Sequence, residues 1–235
     1  MDNAQWRAGG AEAVAWRRPD GQWQLRLPDA IEAWPALLAN RPTAVDRVLV
    51  TATEGTWDAP LAELGFTAAR TEQVWRLPLA ALPGPVPGGS HDFTPVTACD
   101  LVRVTELDNL VRHQIPGTED WTGTARDLRV TLADDEFDPD LYLIAVHRRS
   151  GSYDGLIRVW YRRPRPRPGC LGVLPQWRRT RLAPGLLGAV AATLRERGVT
   201  EVETETDVRN RDSHTLAARH GGIPEHRTTE WTATL

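Results

Sequence analysis

The chain has 235 residues, and its 28 basic residues are all Arg, against 31 Asp and Glu. A net charge of −3 and a pI near 6.1 argue against a protein that grips nucleic acid by neutralising phosphates. Hydrophobic residues at 41% and charged residues at 25% exclude wholesale disorder.

In chain order, Ala13–Trp16 and Trp23–Leu27 flank the turn signal Pro19-Asp20-Gly21 and read as a hairpin. Asp29 to Ala39 places Ile31, Trp34, Leu37 and Leu38 on one helical face, with Asp29 as the expected cap. Arg47–Thr51 reads as a short strand, Ala59–Leu64 as a helix ended by Gly65, and Glu72–Leu79 as a strand. Ala80–His91 holds three Pro and three Gly in twelve residues and cannot continue a helix or a central strand. The expected organisation is therefore 1–85, a linker at 86–91, and 92–235.

Beyond the linker the pattern gives a strand at Asp92–Val96 and helices at Ala98–His113 and Asp127–Ala133. Strands follow at Leu141–His147, Leu156–Tyr161 and Gly169–Val173. A long helix, Leu182–Arg197, carries Pro184 in its first turn, where the missing amide is harmless. Glu201–Thr206 is a strand, Ser213–His220 a helix and Arg227–Thr232 a closing strand. This alternation implies an α/β (α+β) fold with a mixed central sheet flanked by helices.

No run of 18 apolar residues occurs, and the N-terminus lacks the charged and apolar regions of a signal peptide. Cys99 and Cys170 give no disulfide framework, and neither they nor the six His have metal-ligand spacing. The expectation is a soluble, cytoplasmic protein with no metal, membrane or nucleic-acid partner. The Arg-Pro run Arg162–Gly169 reads as a stiff connection between two strands rather than as a nucleic-acid or SH3-type segment.

The chemistry concentrates in Val173-Leu-Pro-Gln-Trp-Arg-Arg-Thr-Arg-Leu-Ala183. A strand ends, Arg178, Arg179 and Arg181 follow, and a helix starts at once. Free amides and the positive end of a helix dipole suit phosphate oxygens, and guanidinium groups add to that. The lack of Lys has two readings, codon bias in a GC-rich genome or retention of particular guanidiniums for bidentate anion binding.

Arg178-x-x-Arg181-x-Ala183, placed between Val173-x-Pro175 and Leu186-Leu187, resembles the pyrophosphate loop of the GNAT acyltransferase superfamily. Arg197-Gly198-Val199, Val202–Thr206, Asn210-x-x-Ser213 and His220-Gly221-Gly222 fall at the spacings of that family's last strand-helix-strand unit. The resemblance covers His91 to the C-terminus. It implies acetyl-CoA as co-substrate and no metal. The pantetheine would lie along Leu171–Val173 and the diphosphate on Arg178, Arg179, Thr180, Arg181, Leu182 and Ala183. Asn210 and Ser213 would stand beside the pantetheine arm. Arg181 replaces the family's central Gly, Ala217 its usual Tyr acid, and Gly222 its Phe.

The implied reaction is direct attack of a small-molecule amine on a thioester. An amine of pKa about 10 must first lose a proton, so a carboxylate is expected nearby. Glu203 is the foremost candidate, with Glu205, Glu119 and Asp120 behind it, and Ser213 could assist the leaving thiolate unless it merely caps a helix. Trp121, Trp160 and Trp177 are available to line an acceptor pocket. Cys170 reads as a small buried hydrophobe. The alternative function is a non-catalytic GNAT-fold sensor or scaffold. Val48–Glu54, then Ala62-Glu-Leu-Gly-Phe66 and the strand to Leu79, also resemble the end of a GNAT domain. The first 85 residues are thus expected to be a truncated, non-catalytic GNAT-like half, in a monomer or homodimer.

Overall fold

The computed structural model describes residues 2–86 and 89–235. The chain opens with β1 (Asn3–Ala8), β2 (Ala11–Arg17) and β3 (Trp23–Arg26). The β2–β3 turn closes through Asp20, whose Oδ1 accepts the Gln22 amide at 3.0 Å. Next come α1 (Trp34–Ala39), β4 (Arg47–Thr53), α2 (Asp58–Glu63) and β5 (Thr67–Pro78). The helix expected from Asp29 begins later than the sequence suggested. A 3-10 turn at Ile31–Ala33 precedes α1, whose N-cap is Ala33 without a side-chain bond, so Asp29 caps nothing.

Then follow β6 (His91–Pro95), α3 (Leu101–Arg112), α4 (Ala125–Leu132), β7 (Tyr142–His147), β8 (Tyr153–Trp160) and β9 (Arg167–Val173). The chain ends with α5 (Leu182–Glu196), β10 (Glu201–Asp207), α6 (Arg211–Arg219) and β11 (Ile223–Thr234). Side chains fix several of these starts. Asp100 accepts the Val102 amide at 2.8 Å to cap α3, and Thr124 with Asp127 forms a capping box on α4.

The chain divides into two compact units, Met1–Gln73 with His226–Leu235, and Val74–Glu225. The first holds β1-β2-β3-β4 in sheet order, then β11, then β5. Its core gathers Trp23, Leu25, Trp34, Leu37, Val48, Val50 and Leu61. Trp34 is fully buried, stands edge-on to Trp57 at 5.1 Å, and donates its indole N–H to the Pro28 carbonyl at 2.7 Å.

The sequence places the division at 86–91, where Pro87 and Gly88 lie outside the described residues. The compact units part elsewhere, within β5 and β11, because β11 runs antiparallel along β4 from Thr228–Thr53 to Thr234–Arg47. That ladder ties the chain's last residues to its first unit.

In the second unit, β6-β7-β8-β9 form an antiparallel sheet buried on both faces, and the end of β5 lies beside β10. Alternate β7 residues face opposite cores. Leu143 and Ala145 pack with Leu186, Val190 and Leu194 of α5, while Tyr142 and Ile144 pack with Val104, Leu107 and Val111 of α3. Helix α3 sits tightly on β9, since a Cβ on Gly172 would meet Val111 Cγ1 at 2.2 Å.

Candidate functional site

Strands β9 and β10 touch at one end only. The Glu203 amide donates to the Pro166 carbonyl at 2.9 Å, and Thr204 Oγ1 donates to the Pro168 carbonyl at 3.2 Å. Beyond Pro168 no ladder joins them, and the two strands belong to different sheets. On its other edge β9 pairs with β8, and the Leu174 amide donates to the Asp154 carbonyl at 2.9 Å. In an antiparallel pair the backbone groups alternate in direction. Cys170 and Gly172 therefore bond to β8, and Leu171 and Val173 present their amides and carbonyls to the open edge.

The chain then makes a 3-10 turn at Pro175–Trp177 and reaches α5 through Arg178–Arg181, all four exposed. Thr180 Oγ1 accepts the Leu182 amide at 3.2 Å and donates to the Trp177 carbonyl at 2.6 Å. Among the described residues the amides of Arg179, Thr180, Arg181 and Ala183 have no internal acceptor. Arg181, the N-cap, sits at φ −82°, ψ 5°, open to any L residue, so replacing Gly by Arg there strains nothing. The left-handed residue is Arg179, at φ 59°. The Arg178 guanidinium donates to the Gln114 carboxamide at the end of α3, which draws it toward that helix.

The loop rests on a buried polar cluster that the sequence reading missed. His91 Nε2 lies 2.9 Å from Asp154 Oδ2, with both residues buried, and Ser152 Oγ donates to the same oxygen at 3.0 Å. The His91 ring stands edge-on to Trp177 at 4.5 Å. A lone His beside a Pro/Gly segment gives no sequence signal of this; only the pairing of β6 with β7 and β7 with β8 brings His91 to Asp154.

At the far side of the opening, Asn210 caps α6, its Oδ1 accepting the Ser213 amide at 3.1 Å. Ser213 is thus not the cap; it sits in the first turn, half-buried. Asp207 ends β10 buried, its two oxygens bound by the backbone and guanidinium of Arg209 at 2.7–3.1 Å. Glu119, from the loop after α3, lies close enough to act electrostatically on Arg209.

The carboxylates on β10 are occupied. Glu203 is held by Arg162 and by Arg165, the latter at 2.9 Å. Arg167 holds Glu205, and Arg165 also reaches Glu225 at 2.8 Å. This engages Glu203, the expected proton acceptor, with two guanidiniums. It also gives the Arg-Pro run its structural role as a row of guanidiniums laid against the Glu face of β10. Glu119 and Asp120 are exposed and lie outside the ion pairs found among the described residues. Burial pushes the Cys170 thiol up, as befits a packed side chain. Among the described residues no cluster of His, Cys, Asp and Glu could hold a metal ion, and no helix is long and apolar enough to cross a membrane.

A sheet that parts between two parallel strands, with a helix springing from the loop after the first, is the GNAT fold. Solved structures bear this out over nearly the whole chain. A GCN5-related N-acetyltransferase from Sphaerobacter thermophilus matches with a TM-score of 0.67 and 20% identity, over 95% of this chain and 76% of the other. A tandem GNAT protein from the clavulanic acid biosynthesis pathway matches with a TM-score of 0.64 and 20% identity, over 99% and 83%. A GCN5-related N-acetyltransferase from Kribbella flavida matches with a TM-score of 0.63 and 13% identity, over 98% and 89%. No protein-family model and no curated protein matches the chain.

Proposed function

We propose that the protein moves an acetyl or other acyl group from acyl-CoA to the amine of a small molecule by direct attack. The observation that carries this is the opening between β9 and β10, continued by the unpartnered amides at the start of α5. The donor supplies an activated thioester. Leu171 and Val173 offer backbone groups along the open edge to the pantetheine amides. The amides from Arg179 to Ala183, the dipole of α5 and the side chains of Arg178, Arg179 and Arg181 offer a cradle for the diphosphate. Leu182 contributes less, because Thr180 already accepts from its amide.

Asn210 keeps its side-chain nitrogen for the pantetheine arm while its oxygen caps α6. The Ser213 hydroxyl is the group assigned to the departing thiolate. With Glu203 engaged, the amine proton passes to Glu119, directly or through water. Calorimetry with CoA, followed by release of free thiol from acetyl-CoA with a panel of amines, tests this reading. No heat of CoA binding to the intact chain would end it.

A specific observation favours a second reading, an acyl-CoA-binding sensor or scaffold. Where family members carry a Tyr acid, Ala217 is buried and offers no proton. Binding of CoA without thiol release from any amine would select it.

The first unit we read as a truncated copy of the same fold. In β4–α2–β5 a strand of 7 residues, a helix, a left-handed Gly65 and a strand of 12 residues follow one another, and β10–α6–β11 repeats them with Gly221. Helix α1 has no basic residue in its first turn and no loop like Arg178–Arg181 before it. One catalytic site per chain follows. We place the protein in the cytoplasm, as a monomer or homodimer.

A further inference from the structure

One row of residues on the α3 side of the sheet takes no part in the CoA site. Tyr142 of β7, Arg158 of β8 and Cys170 of β9 are direct cross-strand partners, so all three project toward the same face. Tyr142 and Cys170 belong to the core cluster under α3. Arg158 lies between them, with Trp160 two residues along on the same face. Its guanidinium carbon stands 5.1 Å from the Trp160 ring centre and 5.8 Å from that of Tyr142. Trp160 is held in turn by Gly169, where a Cβ would lie 3.0 Å from the indole nitrogen.

Three buried polar atoms around this row have no partner in the described structure: Arg158 Nε, the Tyr142 hydroxyl and Asp108 Oδ1. Their groups sense one another, since Arg158, Asp108 and Arg112 all act on the Tyr142 phenol, which burial pushes up. The cations differ in how they are engaged. Arg112 is bound by Asp108 at 2.8 Å and lies 4.2 Å over the Trp121 ring. Arg162, Arg165 and Arg167 each hold a Glu. Arg158, half-buried between two aromatic rings, is in no ion pair found among the described residues. A guanidinium kept flat by aromatic faces and lacking its own acid is preorganised for a planar oxyanion from outside.

We propose that Arg158 binds a carboxylate on the acceptor molecule, so that the acceptors are amino acids or other amines that carry a carboxylate. The three unpartnered atoms then find their partners in the ligand or its waters: Arg158 Nε donates to the carboxylate, and Asp108 Oδ1 and the Tyr142 hydroxyl bond its polar groups. The word acceptor rests on the acyltransferase reading, whereas the carboxylate site stands on its own geometry.

The test is binding of ligand pairs to the full chain without acetyl-CoA, read by thermal shift and calorimetry. Free amino acids are compared with their decarboxylated amines, for instance phenylalanine with phenethylamine and leucine with isopentylamine. The expected result is binding of carboxylate-bearing members at least about tenfold tighter than their counterparts, as suits a hydrogen bond to a charged group. Arg158→Met removes that preference, and Arg158→Lys restores part of it. No carboxylate preference across the panel in the unaltered protein overturns the proposal, as does a preference that survives Arg158→Met. A parallel titration with CoA alone separates the two claims. A carboxylate preference without CoA binding upholds the site and ends the acyltransferase reading. CoA binding without the preference does the reverse.

Discussion

His91 and Asp154 form a buried pair, with Nε2 and Oδ2 2.9 Å apart beneath Trp177. The pair joins the start of β6 to the start of β8, and Trp177 leads into the loop of Arg178, Arg179 and Arg181. Breaking such a pair leaves its other member buried without its hydrogen-bond counterpart, which costs about 1–3 kcal/mol. Asp154→Ala is therefore expected to lower the unfolding free energy by an amount of that order in urea denaturation. Acyl-CoA affinity should fall in the same variant under conditions where it remains folded.

Glu203 is expected to matter for structure rather than catalysis. Its side chain is largely covered and shared by Arg162 and Arg165. Glu203→Gln weakens a small network, with a loss of about 1 kcal/mol in chemical denaturation. The pH dependence of the turnover rate should stay unchanged. Glu119→Gln should instead lower the rate by about 100-fold, the lower end of what a general base contributes. A normal rate in Glu119→Gln would return the base assignment to water or to another group.

Gly172 is required for closeness, not for turning. Gly172→Ala places a methyl 2.2 Å from Val111 Cγ1, so α3 must shift away from β9. The expected cost is about 1–3 kcal/mol, typical of an overfilled core. Val111→Ala in the same chain should recover part of it. Additive losses in the double-mutant cycle would show that the two residues do not compete for this space.

Tyr142 makes the fold sensitive to base. Burial raises its phenol above the ordinary 10.0, so the folded chain holds this proton more tightly than the unfolded chain does. The stabilisation is fully present below pH 10 and is lost progressively as the pH climbs toward the raised value. Phenolate absorbance should show one of the three tyrosines titrating only together with unfolding. Tyr142→Phe should make stability less dependent on pH above 10.

The elements were largely legible in the sequence because each carries its own periodicity or cap. The apolar run and Pro184 delimit α5, whereas α6 starts at Arg211 under an Asn210 cap, ahead of the Ser213 start read from the sequence. β1 was missed, although Ala4, Trp6 and Ala8 alternate, because Asn3, Gln5 and Arg7 are not strand-forming residues and only pairing with β2 holds them. The course of β11 was visible, but its partner β4 lies far off in the chain. The loop Arg178–Arg181 between β9 and α5 was readable for the same local reason as the helices. The fate of Glu203 was not, because the arginines that claim it arrive from the β8–β9 connection. Arg158 gave no signal either, since its place between Tyr142 and Trp160 follows only from the pairing of β7, β8 and β9.

The central claim is that the opening between β9 and β10, with Arg178–Ala183, binds CoA. Isothermal titration of the intact chain with CoA tests it most directly, repeated in Arg178→Ala. The expected result is one site per chain, with affinity that falls as salt rises and drops about tenfold in the variant, as for loss of a hydrogen-bonded charge. No binding at millimolar CoA, or equal affinity in the variant and the unaltered protein, would contradict it.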